Sequence, residues 1–379
     1  MSAANPHSNR FERKLRWTSA FILTGLLAQS VDAQQRLTQE ESSERSVVAA
    51  DLEMIYGKTE TASTILDYST IIDFCRTVVG DLTRPQEDRQ YARTLMSWGM
   101  NRRGEARSDQ AALMVREQNL GEATKFDALA RKDFESSIQL DATRWRAHHN
   151  LGITYAIQGQ NDEAVASFSQ AIRLNADFPN AYFNRGEVYF RTNQLEAALG
   201  DYNRVIQLSA TDSSAYGARA HTLYAMGKTQ EALADYAKAM ALAPQSVEAT
   251  TEYADTCQAL GKWKEASIAY QQAIQLDNAN ARTLQNAAWM MATCPDDSYR
   301  NGNAALKTAK RAVQLASAGP SAQVLDVLAA AHATSGDFEA AQNAIAEALR
   351  STTDASFRAE LQLRSRLYQK KMAYVQPKR

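Results

Sequence analysis

Between residues 145 and 280, small and aromatic residues return to the same places every 34 positions. Gly152, Gly186, Ala220, Ala254 and Ala288 form one column, and Ala164, Ala198, Ala232 and Ala266 a second. A third column runs Phe168, Tyr202, Tyr236, Tyr270, and a fourth Ala171, Val205, Ala239, Ala273. Gly159, Asn193, Gly227 and Gly261 mark a recurring turn. Columns that share one period restrict the chain to a stack of equivalent units, because the same side-chain sizes must meet at every level.

A period of 34 belongs to arrays of helix-turn-helix units. The Gly/Ala column and the Ala column fall where two antiparallel helices cross, and only a small side chain lets the backbones approach that closely. The aromatic column fills the space left. Gly159, Gly227 and Gly261 follow the first helix, where a left-handed residue closes the helix end, and Asn193 is the usual substitute for glycine there. The pattern resembles the tetratricopeptide repeat, whose helix A carries a small residue after Leu or Arg, here Leu151-Gly152, Arg185-Gly186 and Arg219-Ala220. Helix B carries the Ala, aromatic, Ala triplet as Ala232, Tyr236 and Ala239, with Pro244 at the closing proline position. The resemblance covers most of the chain. It implies an all-α fold, an α-solenoid in which stacked antiparallel helix pairs form a right-handed superhelix, and a scaffold rather than a chemistry.

With 45% hydrophobic residues the chain has ample material for a continuous core, and 42 basic against 43 acidic residues give none of the basic excess of a nucleic-acid binder. The first 33 residues read as a secretory signal: Arg10, Arg13, Lys14 and Arg16 are the positive region, Trp17 to Ala28 the apolar one, and Val31-Asp32-Ala33 the cleavage site. The apolar stretch spans about a dozen residues, short of the roughly 20 that cross a bilayer as a helix, so export to the periplasm or cell envelope is expected over a retained anchor. No later segment reads as an integral span. The mature chain would begin at Gln34. Three cysteines, Cys75, Cys257 and Cys294, exclude a disulfide framework; buried free thiols are expected over a Cys257–Cys294 bridge.

The organisation expected is a signal at 1–33, a flexible linker at 34–58, degenerate helices at 59–96, and a divergent repeat with an insertion at 97–143. Four regular repeats at 145–280 follow, then a fifth with an extended loop at 281–320, a sixth at 321–350, and a capping helix with tail at 351–379. In the degenerate region, Thr70, Phe74 and Thr77 mimic the spacing of a helix B. Asn101-Arg102-Arg103-Gly104-Glu105 echoes Asn184-Arg185-Gly186-Glu187, which pairs Gly104 with Ala130, Phe134 and Ser137 and makes Arg107 to Thr124 an insertion read as a longer helix and loop. In the fifth repeat Ala305, Ala309 and Ala312 arrive five residues late, after a corner from Thr293-Cys294-Pro295 to Asn301-Gly302 that contains turn formers. The export signal, this corner and a terminal helix together resemble a subgroup of exported bacterial tetratricopeptide-repeat proteins. The terminal stripe Phe357, Leu361, Leu367 and Tyr368 would cap the core, with Arg358, Arg364, Arg366 and Lys370 outward.

The resemblance implies that helix A lines a concave face that holds an extended peptide or a partner's helix. Off the packing columns stand His149, Asn150 and Ile153, then Phe183, Asn184, Glu187 and Arg191, then His221 and Tyr224, then Thr251, Glu252 and Asp255, and lastly Gln285, Asn286 and Trp289. Asn150, Asn184 and Asn286 are equivalent, and an amide there offers a ligand's backbone one donor group and one acceptor. The family's clamp on a C-terminal carboxylate needs lysines where this chain has His149 and Ser214, so the full clamp is missing. Phe183, Phe190, Tyr224 and Trp289 suit an aromatic floor or packing between units.

Catalysis, cofactor and metal are not expected. The chain has no Ser/His/Asp order, Gly-rich phosphate loop or HExxH string, and His149 and His221 stand about 20 Å apart at about 10 Å per helix layer, too far to share a metal. Glu187, Glu252 and Asp255 read as a solvated acidic wall. The reading is therefore a non-enzymatic scaffold for a protein or peptide ligand, without nucleic acid. The alternatives are an accessory subunit of a wall or glycan enzyme and a membrane-surface assembly factor, the latter through weak contact of the basic segment 350–379 with anionic lipid.

Overall fold

The computed structural model describes residues 49–317 and 319–377, so the signal expected at 1–33 lies outside the described residues. Seventeen α-helices and one 3₁₀ turn are present among them. The helices divide into two units between Leu208 and Ser209. The first contains α1 (Ala50–Thr59), α2 (Ile65–Gly80), α3 (Gln86–Arg116), α4 (Leu120–Leu140), α5 (Trp145–Ile157), α6 (Asn161–Leu174), α7 (Pro179–Arg191) and α8 (Leu195–Leu208). The second contains α9 (Ser213–Ala225), α10 (Thr229–Leu242), α11 (Val247–Ala259), α12 (Trp263–Leu276), α13 (Ala281–Thr293), α14 (Gly302–Gln314), α15 (Ala322–Thr334), α16 (Phe338–Ser351) and α17 (Ala355–Gln369). All described elements are helical, and within the units they form antiparallel A/B pairs: α3/α4, α5/α6 and α7/α8 in the first, α9/α10, α11/α12, α13/α14 and α15/α16 in the second.

The small and aromatic columns meet as their sizes demand. A Cβ added to Gly152 would lie 2.7 Å from the ring of Phe168, and one on Gly186 2.9 Å from the ring of Tyr202. Gly104 stands in the same relation to Phe134, whose partners Ala130 and Ser137 are fully buried. Each such ring is buried to 1% exposure or less, worth about 2 kcal/mol of burial apiece. The recurring turn has a backbone cause: Gly159, Asn193, Gly227 and Gly261 all have φ between +60° and +78°. Around Gly159 the amide of Gln160 bonds the Tyr155 carbonyl and the amide of Gly159 bonds that of Ala156, the Schellman closure of a helix end.

Several segments fold otherwise than their sequence suggests. Residues 50–58 of the segment expected as linker form α1 together with Thr59, because Leu52 and Ile55 bury against Ile71, Ile72 and Cys75. On α2 the buried face is Tyr68, Ile71, Ile72, Cys75 and Val78, while Thr70 and Thr77 are exposed; the apolar area, not the helix-B spacing, selects the face. The division drawn between residues 96 and 97 falls inside α3, an unbroken helix. The insertion lengthens α3 and α4 together and leaves only Glu117, Gln118 and Asn119 as connection, with Gln118 at φ +59°. In the fifth repeat Asn301 is no turn residue: its side chain caps α14 by accepting from the Ala304 amide. Gly302 is then the first helical residue, and its missing Cβ admits the Thr334 backbone, 2.6 Å from where that atom would sit. Cys75, Cys257 and Cys294 are free and buried.

Helix α17 closes the second unit with Leu361 and Tyr368 fully buried. Arg364, expected to point outward, is instead buried, its Nε 2.9 Å from Asp326 Oδ1 of α15. No helix among the described residues is long and apolar enough to cross a membrane.

The A-helix faces as candidate binding site

In the first unit the off-column residues of helix A are spent on the preceding repeat or on helix B of their own. Asn150 Nδ2 donates to Asn101 Oδ1 at 3.1 Å and to Glu105 Oε1 at 2.9 Å, and is buried. Asn184, its equivalent, places Nδ2 3.0 Å from His149 Nε2. His149 is buried, with Phe178 edge-on at 4.8 Å and Phe168 at 5.7 Å, and burial lowers its pKa to about 4. A neutral ring at neutral pH follows. Ile153 is buried as well. Glu187 accepts from the Tyr202 hydroxyl at 2.5 Å, Phe183 packs edge-on against the Tyr202 ring at 5.8 Å, and Arg191 donates to the Ala156 carbonyl and to Asn161 Oδ1. Thus His149 and Asn150, expected on an open face, are interior, because a polar group between two packed helices must find its partner in the neighbour.

A further polar column was missed. Arg185 clamps Asp201 with Nε and Nη2 at 2.9 and 2.7 Å, Arg103 clamps Asp133 at 3.0 and 2.7 Å, and in the second unit Arg219 clamps Asp235 at 2.7 Å through both nitrogens. Its signal stands in the sequence, for Arg precedes the small residue where Asp precedes the aromatic. Repeats with Leu151 or Tyr253 in place of the arginine carry Ser167 or Ala269.

In the second unit the same positions build an ionic network. Arg282, half-exposed at the start of α13, reaches Glu252 at 2.6 Å and Asp255 at 2.8 Å. Asp255 also accepts from Asn286 Nδ2 at 2.8 Å and from the Tyr270 hydroxyl at 2.6 Å, and His221 Nε2 lies 3.6 Å from Glu252. The two carboxylates are therefore no solvated wall, since their side chains are each only 6% exposed and held by a cation. Thr251 is buried against the Thr283 hydroxyl, while Tyr224, Gln285 and Asn286 are half-buried. The network brings Glu252, Asp255 and Asn286 together through Arg282, which sequence reasoning passed over because it sits on the first turn.

Trp289 meets groups no sequence argument assembled. The Arg364 guanidinium lies 5.4 Å from its ring centroid, and the Tyr374 ring lies 5.8 Å away.

Family models match residues 154–193, described as a TPR repeat, and residues 179–212 and 223–289, described as tetratricopeptide repeats. No curated protein matches the chain. A tetratricopeptide-repeat protein from Parabacteroides merdae is 16% identical, covers 70% of this chain and 98% of its own, and gives a TM-score of 0.47. YrrB, described as having an unusual peptide-binding site, is 19% identical over 48% of this chain and 90% of its own, TM-score 0.39. The first TPR of Spaghetti (RPAP3), solved with an HSP90 peptide, is 30% identical over 32% of this chain and 95% of its own, TM-score 0.31.

Proposed function

Because this chain is a tetratricopeptide-repeat protein, we propose that it is a non-enzymatic interaction scaffold whose A-helix faces hold a protein or peptide. The observation that carries this is the Arg282 network. Its donors and acceptors are fixed by Glu252 and Asp255 before any ligand arrives, so a ligand meets a surface whose ordering cost is already met. Gln285 and Asn286 beside it present amides suited to an extended main chain. The half-exposed guanidinium adds a planar donor for a carboxylate or carbonyl.

A photo-crosslinking residue at Gln285 in the full chain, expressed in its native host, tests the proposal. One protein should be captured there and lost when Arg282→Lys and Asn286→Ala are combined. Arg282→Lys keeps the charge that Glu252 and Asp255 need while removing the planar fork. Capture indifferent to that double change, with helical circular dichroism intact in both chains, would sink the reading.

Export is proposed on Arg10 to Ala33 alone, with the mature protein acting in the periplasm or cell envelope. N-terminal sequencing of protein recovered from the envelope fraction should begin at Gln34; an uncleaved chain in the cytoplasmic fraction would remove the proposal.

A further inference from the structure

After α17 the chain does not run off into solvent. Lys371 takes a left-handed conformation, φ +56°, and the Met372 amide bonds the Leu367 carbonyl, which closes the helix and turns the chain back. Residues 372–377 then run without regular structure to the far end of α13, two A helices away. There the Gln376 amide donates to the Thr293 carbonyl at 2.8 Å, and Gln376 Nε2 donates to the Thr293 hydroxyl at 2.7 Å. Tyr374 lies against Trp289 and under the Arg364 guanidinium, 5.3 Å from its ring centroid. Ala373 and Tyr374 pack on the core of α15 to α17, whereas Met372 and Val375 are exposed at 54% and 41%.

The contact has the form of a peptide complex. An extended segment sets alternate residues inward, Tyr374 and Gln376, and leaves Val375 outside, the period of two that a strand-like ligand shows. The main-chain bond goes to Thr293, in the last turn of α13, where carbonyls lack intrahelical partners. The aromatic ring is gripped by an indole and a cation, an arrangement that recognises a ring by its π-face. Arg364 cannot swing away easily, because the buried Asp326 carboxylate holds it from behind. The seat is thus rigid. The tail is held by few groups, with Met372, Val375 and Pro377 in solvent.

We propose that Trp289, Thr293 and Arg364 form a docking site for an extended segment of the form aromatic-x-Gln, occupied in the free protein by the chain's own residues 374–376 and opened when a partner segment of like chemistry displaces them. This rests on the scaffold reading and deepens it: the tail is a tethered competitor, and its local concentration, in the millimolar range for a short tether, sets how well a partner must bind. Only a ligand that outcompetes the tail gains this face.

The probe is a fluorescent, C-terminally amidated peptide of residues 372–377, followed by anisotropy. A chain ending at Lys371 should bind it saturably, and the full chain at least about tenfold more weakly, as expected for a tethered competitor. A peptide carrying Tyr374→Ala, or a Lys371-ended chain carrying Trp289→Ala, should show no binding. Should the shortened chain lose its helical signal, the full chain with Tyr374→Ala decides instead, and must take up the peptide at least about tenfold more tightly than the unaltered chain. A folded shortened chain that ignores the peptide, or equal binding by chains with and without a competent tail, overturns the proposal. Neither result bears on capture at Gln285, so failure here and failure of the scaffold reading are distinguishable.

Discussion

Asn184 Nδ2 stands 3.0 Å from His149 Nε2, a bond between two residues 35 apart in sequence on the A helices of successive repeats. It requires the His149 nitrogen to accept, so the ring must be neutral, and burial enforces the same state. A pair that reads as two ligand contacts is a seam between repeats.

His149 therefore makes stability depend on pH. Its folded pKa, about 4, lies below the ordinary 6.5, so the unfolded chain takes up the proton first. The stabilisation is fully present above pH 6.5 and is lost as pH falls toward 4, with about 2 kcal/mol gone between pH 7 and 5. Urea unfolding at both values should show this loss, and His149→Gln should flatten it; an identical pH dependence in the variant would refute the assignment.

The Arg185–Asp201 clamp predicts an asymmetry. Asp201→Ala leaves a guanidinium only 19% exposed without its carboxylate and should cost about 3 kcal/mol. Arg185→Met with Asp201→Leu removes both charges and should cost clearly less. Denaturant midpoints of the single and double variants give the comparison, and a double loss equal to the sum of the two singles would contradict a buried coupled pair.

Glycines on the same helix pair should respond oppositely. Gly186→Ala forces a Cβ to 2.9 Å from Tyr202, whose ring is fully buried, and should destabilise by about 1–3 kcal/mol. Gly200→Ala, in the middle of α8 with open space around it, should stabilise by up to about 1 kcal/mol through helix propensity. Thermal unfolding of the two variants separates close packing from glycine content as the cause.

Asn193 holds φ +60° where Gly159, Gly227 and Gly261 stand in the other regular repeats. Asn193→Gly should leave stability unchanged or raise it slightly, and Asn193→Val should lower it by about 1–2 kcal/mol, because a β-branched residue resists the left-handed region. Equal midpoints for the glycine and valine variants would show that this turn is not under conformational control.

What could be read in advance was whatever repeats. Gly152 with Phe168, Gly186 with Tyr202, and the left-handed closing residues follow from side-chain size and local backbone geometry, and these recur with the 34-residue register. The candidate site was less legible. Asn150, Asn184 and Asn286 looked alike on one helix face, but whether such an amide meets a ligand or the next repeat depends on what stands opposite: Asn101 and Glu105, His149, or Asp255. Arg364 looked like an outward charge on a cap because its partner Asp326 is 38 residues away and off the grid.

The sequence by itself determined the helix pairs, their turns and the small-against-large contacts within each pair, since these are set by residues close in the chain and repeated at one spacing. Only the tertiary structure decided which polar groups the stacking consumes and that Tyr374 and Gln376 return to Trp289 and Thr293. Those pairings join residues 83 or more positions apart, and no local preference or period encodes them. They exist because the turn after α17 and the stack of α13, α15 and α17 bring a helix-end carbonyl, an indole and a clamped arginine to one place.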